Sequence, residues 1–404
     1  MHKFSSHLTI AGSLTKWAFT VVTCCFLAIF FVWPVGLIVS KAFISPQGFT
    51  LDYFYLLMQD TYQLNAISNS LYLAVLTTFF ATIVSIPLAL INARYEFGGK
   101  KILSAALLVP MVMPPFVGAI GLQRFFSRYG AINLFLLEND FITQPIPWLS
   151  DQNMFWAVVI LGVAHLYPIM YLNLSAAIAN IDPSLEEVAA SLGVSQLKIH
   201  KNITWPLIRP GMFAGAFIVF IWSFTDLGTP LLVGYHQTVP VSIFNMVTSV
   251  DANPLGYALV FVSILITVAL FIVSKSSLGT KKYEMLARGH VTPITIRPNK
   301  ITKLLIYTLL LTTIFVALFP HLSVLITSIG DNWFMTPLPE QFTFKYYSMI
   351  LSQHLPLTGI KNSLTLSVSS TIVDIILGIS IAYIVTRNLI PKAQWLDGLV
   401  MIPL

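Results

Sequence analysis

The sequence predicts an all-α protein crossing a membrane many times, built as two parallel repeats of about six helices with the second incomplete. Three observations predict it. Mean hydropathy is +0.81 over 404 residues. Charged residues are 9% of the chain, against about 25% in ordinary globular domains. Apolar runs of about 20 residues recur, each long enough to cross a bilayer core of about 30 Å as a helix. A β-barrel would alternate apolar and polar residues in short segments, and none do.

The expected spans are 17–43, 66–93, 102–127, 153–180, 210–235, 255–279, 303–328 and 358–385, with a ninth starting near 395. The first is too long for the apolar core of a signal peptide. With the N-terminus placed in the cytoplasm, seventeen of the 22 Lys and Arg fall in inner segments and five outside. The positive-inside rule favours that orientation. It makes 181–209 and 280–302 cytoplasmic. The net charge of +6 is thus a topology signal, and no nucleic-acid partner is expected. Cys24 and Cys25 are neighbours in the first span and point apart, so no disulfide joins them.

The repeat shows when the chain is slid by 293 residues. NSLYLAVLTTFFATIVSIPLALINAR (69–94) meets NSLTLSVSSTIVDIILGISIAYIVTR (362–387), and 69–111 holds 13 identities in 43 positions, Asn69, Ser70, Arg94 and Pro110 among them. Each copy follows an even number of spans, so the copies share one orientation. The expected division is a first repeat at 1–279, a linker at 280–302 and the start of a second repeat at 303–404. The second copy stops at Leu404, opposite Met111, so the sequence reads as a fragment or a truncated frame.

Between spans four and five lies an unusually polar stretch, LEEVAASLGVSQLKIHKNITWPLIRPG (185–211). Asp182-Pro183 starts a helix. Glu186 and Glu187 add negative charge in its first turn, where it complements the helix dipole. Gly193 permits a left-handed turn. A second short helix is expected over 195–203, ended by Pro206, with Pro210 opening the next span. Bare, the element would expose Val188, Leu192, Leu197 and Trp205, a surface for membrane or a partner protein.

The stretch resembles the cytoplasmic loop of permease subunits of bacterial binding-protein-dependent ABC importers, EAA-x3-G-x9-I-x-L-P. Glu187-Val188-Ala189 is followed by Gly193, and Ile203-Thr204-Trp205-Pro206 comes after nine further residues. Val188 and Trp205 depart from the pattern but stay apolar. LLVPMVMPPFVGAIG (107–121), FIWSFTDLGTPLLVG (220–234) and the two halves resemble the fused iron(III)-type permeases. The resemblance implies the type I ABC importer permease fold in a bacterial inner membrane. It implies an ATPase-coupling helix using Glu186, Glu187, Val188, Ala189, Gly193, Ile203 and Pro206. It further implies two copies of a cytoplasmic ATP-binding subunit that carry the ATP and Mg, and a periplasmic or extracellular solute-binding protein. Iron(III) is the implied cargo, with phosphonate, thiamine, sulfate or polyamine as alternatives.

No chemistry of the chain's own is expected. There is no GxxxxGK[ST] loop, no metal-ligand spacing of His, Cys and carboxylates, no catalytic motif and no bound cofactor. His165 reads as a hydrogen-bonded packing residue. Acids inside spans are costly and face cavities or partner helices. Asp226 therefore suits either a pathway gate or a structural hydrogen bond, and Asp374 the latter. Pro110, Pro114 and Pro115 should kink the third span, where Pro114 and Pro115 could line a path or serve packing. A secondary transporter driven by an ion gradient is the alternative, and it would need paired charges in both halves.

Overall fold

A computed structural model describes residues 13–248, 254–278, 295–387, 389 and 396. Helices α1 (Ser13–Leu27) and α2 (Trp33–Phe43) run on through one wide π turn, Ala28–Val32. A tight hairpin follows, β1 (Ile44–Ser45) with β2 (Gly48–Phe49), then α3 (Asp52–Gln59) and the 34-residue α4 (Thr61–Arg94). Asp60 caps α4 by accepting from the amides of Tyr62 and Gln63, which satisfies two of its free N–H groups. Next come α5 (Lys100–Ala106), α6 (Val109–Val112), α7 (Pro115–Phe126), α8 (Ala131–Glu138) and the 29-residue α9 (Asp151–Ala179). The polar stretch forms α10 (Pro183–Ser191) and α11 (Gln196–Ile199). Then follow α12 (Trp205–Phe224), α13 (Gly228–Val233), α14 (Val239–Thr248) and α15 (Pro254–Leu278). The remainder is α16 (Lys300–Ile329), a hairpin β3 (Gly330–Asp331) with β4 (Gln341–Phe342), α17 (Lys345–Ser352) and α18 (His354–Thr386).

Seven helices among the described residues are long and apolar enough to cross a membrane, or eight if a bent pair counts as one span. The element order around the first hairpin recurs around the second. β4, α17 and α18 begin 293 residues after β2, α3 and α4.

The chain divides into two compact units. One comprises 1–57, 251–265 and 344–404. There α1 lies against α18, with Phe19 and Tyr383 edge to face. Phe43, Phe54 and Phe261 form a ring cluster with centroids 5.0 to 5.6 Å apart. The other unit comprises 58–250 and 266–343. Its core joins α4, α9, α12 and α16 through Leu88, Tyr167, Met170, Leu174, Val219 and Leu310. Ser85 Oγ donates to the Tyr167 carbonyl at 2.8 Å, pinning α4 to α9 through a buried bond.

Two expected spans are broken rather than continuous. The third, expected at 102–127 with kinks, turns by 90° between Lys100–Val112 and Pro115–Glu138. Pro114 and Pro115 lack amide donors and Met113 is extended (ψ 137°), so the helix restarts at Pro115 instead of bending. Freed groups are met by α9, where Tyr167 Oη donates to the Leu107 carbonyl at 2.8 Å and His165 Nδ1 lies 2.9 Å from the Pro110 carbonyl. The fifth, expected at 210–235, begins earlier at Trp205 and breaks at 225–227. Asp226 accepts from the Thr229 amide at 3.2 Å at the start of α13. The breaks meet: α13 packs on α7, and a Cβ placed on Gly228 would lie 3.6 Å from that of Phe116. Residues 280–294 of the expected linker and nearly all of the expected ninth span fall outside the described residues.

Candidate functional site

Asp182 caps α10 by accepting from the Ser184 amide at 3.0 Å, and Pro183 takes the first helical turn. The helix ends in a left-handed residue, Gly193, at φ +79°. Val194 N–H reaches the Ala189 carbonyl at 3.1 Å and Gly193 N–H the Ala190 carbonyl at 2.9 Å, the double closure of a Schellman ending. A side chain at 193 would meet no atom within 4 Å, so the demand for glycine is backbone conformation alone. Gly193→Ala is expected to weaken this turn by about 1 kcal/mol. The check is faster proteolysis or hydrogen exchange confined to the loop, with the transmembrane core unchanged.

The second half corrects the expected end at Pro206. The helix runs from Leu197 to Phe224 through a wide turn, His200–Thr204, in which Trp205 N–H bonds the His200 carbonyl. Pro206 sits in the first turn of α12 and Pro210 inside it. The wide i→i+5 turn makes room for a proline ring that a regular α-turn would exclude. One continuous rod therefore joins the loop to the membrane core. Trp205, expected on the surface, is half-buried against that core. Leu197 and Ile199 part company: Ile199 is 1% exposed and Leu197 82%.

The outer face of the pair is apolar. Val188, Leu192 and Leu197 are 59%, 79% and 82% exposed, and Leu185 and Val194 flank them. Glu187 is exposed, Ala189 is half-buried, and Ile203 faces partly inward. Glu186, one residue earlier, turns the other way. Arg94 Nη2, from the last turn of α4, donates to both its oxygens at 2.8 and 3.0 Å, and to Thr204 Oγ1 at 3.3 Å. Thr204 Oγ1 donates to Glu186 Oε1 at 2.5 Å, and Arg94 Nη1 lies 3.2 Å from His200 Nε2. A charge-assisted fork thus ties both loop helices to the end of α4. Behind α10 lies a cavity of about 550 Å³ lined by Arg94, Glu186, Ser175 and Ile296. Ile296 adds a short parallel bridge beside Tyr95, its N–H on the Arg94 carbonyl at 2.8 Å. Sequence reading missed Arg94, Thr204 and His200 as loop partners. A signal existed for Arg94, an identity of the internal repeat at the inner end of a span.

Pro114, Pro115 and Asp226 lie together at the two broken spans, far along the chain from this fork. No group of three His, Cys, Asp or Glu among the described residues is placed to hold a metal.

Comparison with known proteins agrees with this geometry. The ferric transport system permease FbpB of Actinobacillus pleuropneumoniae is 27% identical over 387 residues, 92% of this chain. The chain spans 54% of that relative's length. The spermidine/putrescine permease PotC of Escherichia coli is 28% identical over 241 residues, 58% of this chain and 84% of PotC. A chain of a bacterial ABC transporter importing the acidic polysaccharide alginate superposes with a TM-score of 0.55 at 19% identity, covering 66% of this chain and 95% of its own. That transporter is also known in complex with a pentasaccharide-bound periplasmic protein. Residues 85–277, which run from the second half of α4 through the loop to α15, match the family described as binding-protein-dependent transport system inner membrane component.

Proposed function

We propose that this chain is the membrane-spanning component of an ATP-driven solute importer, with hydrolysis carried out by a separate cytoplasmic subunit docked on the 182–206 loop. One observation carries the reading: Val188, Leu192 and Leu197 stand bare on a helix pair that Arg94 and Glu186 hold rigidly to the membrane core. Apolar side chains so exposed favour a protein partner, and a rod continuous with a transmembrane helix transmits its movement. Glu187, Val188 and Ala189 would form the docking face, Gly193 its turn, and Ile203 and Pro206 the hinge to α12. Glu186 would serve from inside, through Arg94. Two ATPase copies, binding ATP and Mg, and an extracytoplasmic solute-binding protein complete the assembly in the inner membrane, with the N-terminus cytoplasmic. The recurrence of β4, α17 and α18 at the offset of the sequence repeat supports a division into repeats at 1–279 and 303–404.

Iron(III) is the favoured cargo, because ferric-system permeases align with nearly the whole chain. Polyamine and molybdenum permeases align with a shorter part. The double variant Leu192→Asp, Leu197→Asp is expected to insert normally yet lose co-purification of a cytoplasmic ATPase subunit, with transport down at least tenfold (a loss of about 1.4 kcal/mol or more). Transport that continues without any ATPase would instead favour an ion-gradient carrier.

A further inference from the structure

The end of α9 and α16 remote from the loop holds a second cavity, of about 650 Å³. At roughly 1.5 Å per residue, the length of α9 puts it about 40 Å from the loop. Its polar lining is Gln123, Arg124, Ser127, Arg128, Ser323, Thr327 and Ser328, and no carboxylate lines it. Neither arginine has an ion-pair partner among the described residues.

The two arginines are held differently. Arg124 stacks on Trp333, its Cζ 4.2 Å from the ring centroid, and donates through Nη2 to the Trp333 carbonyl at 2.6 Å. Its Nε is buried and donates to nothing, and the hydroxyl of Ser323, fully buried, is likewise unbonded. A buried donor without an acceptor is costly, so an acceptor arriving at either group would be favoured. Arg128 is exposed, on a loop knitted by Asn133. Asn133 is fully buried, donates to the carbonyls of Ser127, Arg128 and Ile146, and accepts from Ile146 N–H and Trp148 Nε1. The backbone that presents Arg128 is therefore rigid, while its guanidinium is uncommitted.

Two guanidinium groups without an ion-pair partner, one of them with an orphaned N–H, and a spare hydroxyl belong to residues that line this one cavity of about 650 Å³. Guanidinium recognises carboxylate and phosphate oxygens through paired donors. We propose that this cavity binds an oxyanion of the phosphate or carboxylate class, which under the importer reading above enters as the ligand shell of a metal cargo or beside it. A polycation such as a polyamine meets the wrong sign of charge here.

The test uses the full chain in lipid nanodiscs and radiolabelled phosphate and citrate. Saturable binding is expected, weakened at least tenfold by Arg128→Gln, retained by Arg128→Lys and not displaced by spermidine. Retention of iron(III) citrate above that of citrate alone identifies the anion as the cargo's shell. Equal retention identifies a free anion in the same site. No saturable binding by the wild type, or equal binding by wild type and Arg128→Gln, overturns the proposal. ATPase co-purification from the same preparation is read separately, so failure of the site and failure of the importer reading are distinguishable.

Discussion

Gly121→Val is expected to disrupt the packing of α7 on α16. A Cβ built on Gly121 overlaps the carbonyl oxygen of Pro320 and falls 2.6 Å from its carbonyl carbon. Both neighbours are backbone, so no rotamer change relieves the clash, and the two helices must move apart. Pro320 lies inside α16 and has no N–H for the fourth preceding carbonyl, so the helix is already weakened where the force would fall. Overpacking of this kind costs about 1 to 3 kcal/mol, and with backbone on both sides the upper end applies. The purified variant should lose on the order of 5 °C or more in unfolding temperature, or fail to give a monodisperse particle. Gly378→Ala is the control, since nothing lies within 4 Å of a methyl group there. If both variants behave alike, the contact between α7 and α16 is not the one described.

Arg94→Ala is the second large effect. The fork to Glu186 and Thr204 is about one-quarter exposed, so solvent screens part of its strength. Removing the guanidinium still leaves the half-buried Glu186 carboxylate without its charged donor and with only the Thr204 hydroxyl bonded to it, a cost of about 1 to 3 kcal/mol. The damage is expected in coupling more than in insertion. Val188, Leu192 and Leu197 point away from Arg94, so under the proposed importer function the ATPase should still dock and hydrolyse. The loop would no longer move as one body with α4, and transport should fall at least tenfold. Glu186→Gln should behave similarly, and the double variant should be no worse than either single one. Additive losses would mean that the two residues act apart, and the fork would then have no coupling role.

Glu186 and Glu187 show how legibility depends on scale. Their residue types and their place in a first helical turn were readable, because caps and dipole effects are local. Which of them would turn inward was not, because successive residues on a helix point about 100° apart and only the position of α4 selects a face. Leu197 and Ile199 are the same case. The prolines of the third span predict a kink, and the structure has a break: Pro114 and Pro115 remove donors wherever they stand, but the 90° turn comes with the partners α9 offers through His165 and Tyr167. Pro206 was misread as a terminator, since a π turn before it needs the neighbouring helix to make the wider path worthwhile.

Membrane class, most of the spans, the loop with its Gly193 turn and the internal repeat all follow from composition, period and spacing. These are properties of short segments, and a bilayer enforces them segment by segment because every backbone group in it must be satisfied within the helix. The tertiary structure alone decided that Arg94 reaches across 92 residues to Glu186, that Gly121 must admit Pro320, and that Arg124 and Arg128 share a cavity with Ser323. Such pairings join residues far apart in the chain. Their energies come from shape and charge at contact distance, and a one-dimensional pattern carries no record of that until the helices pack.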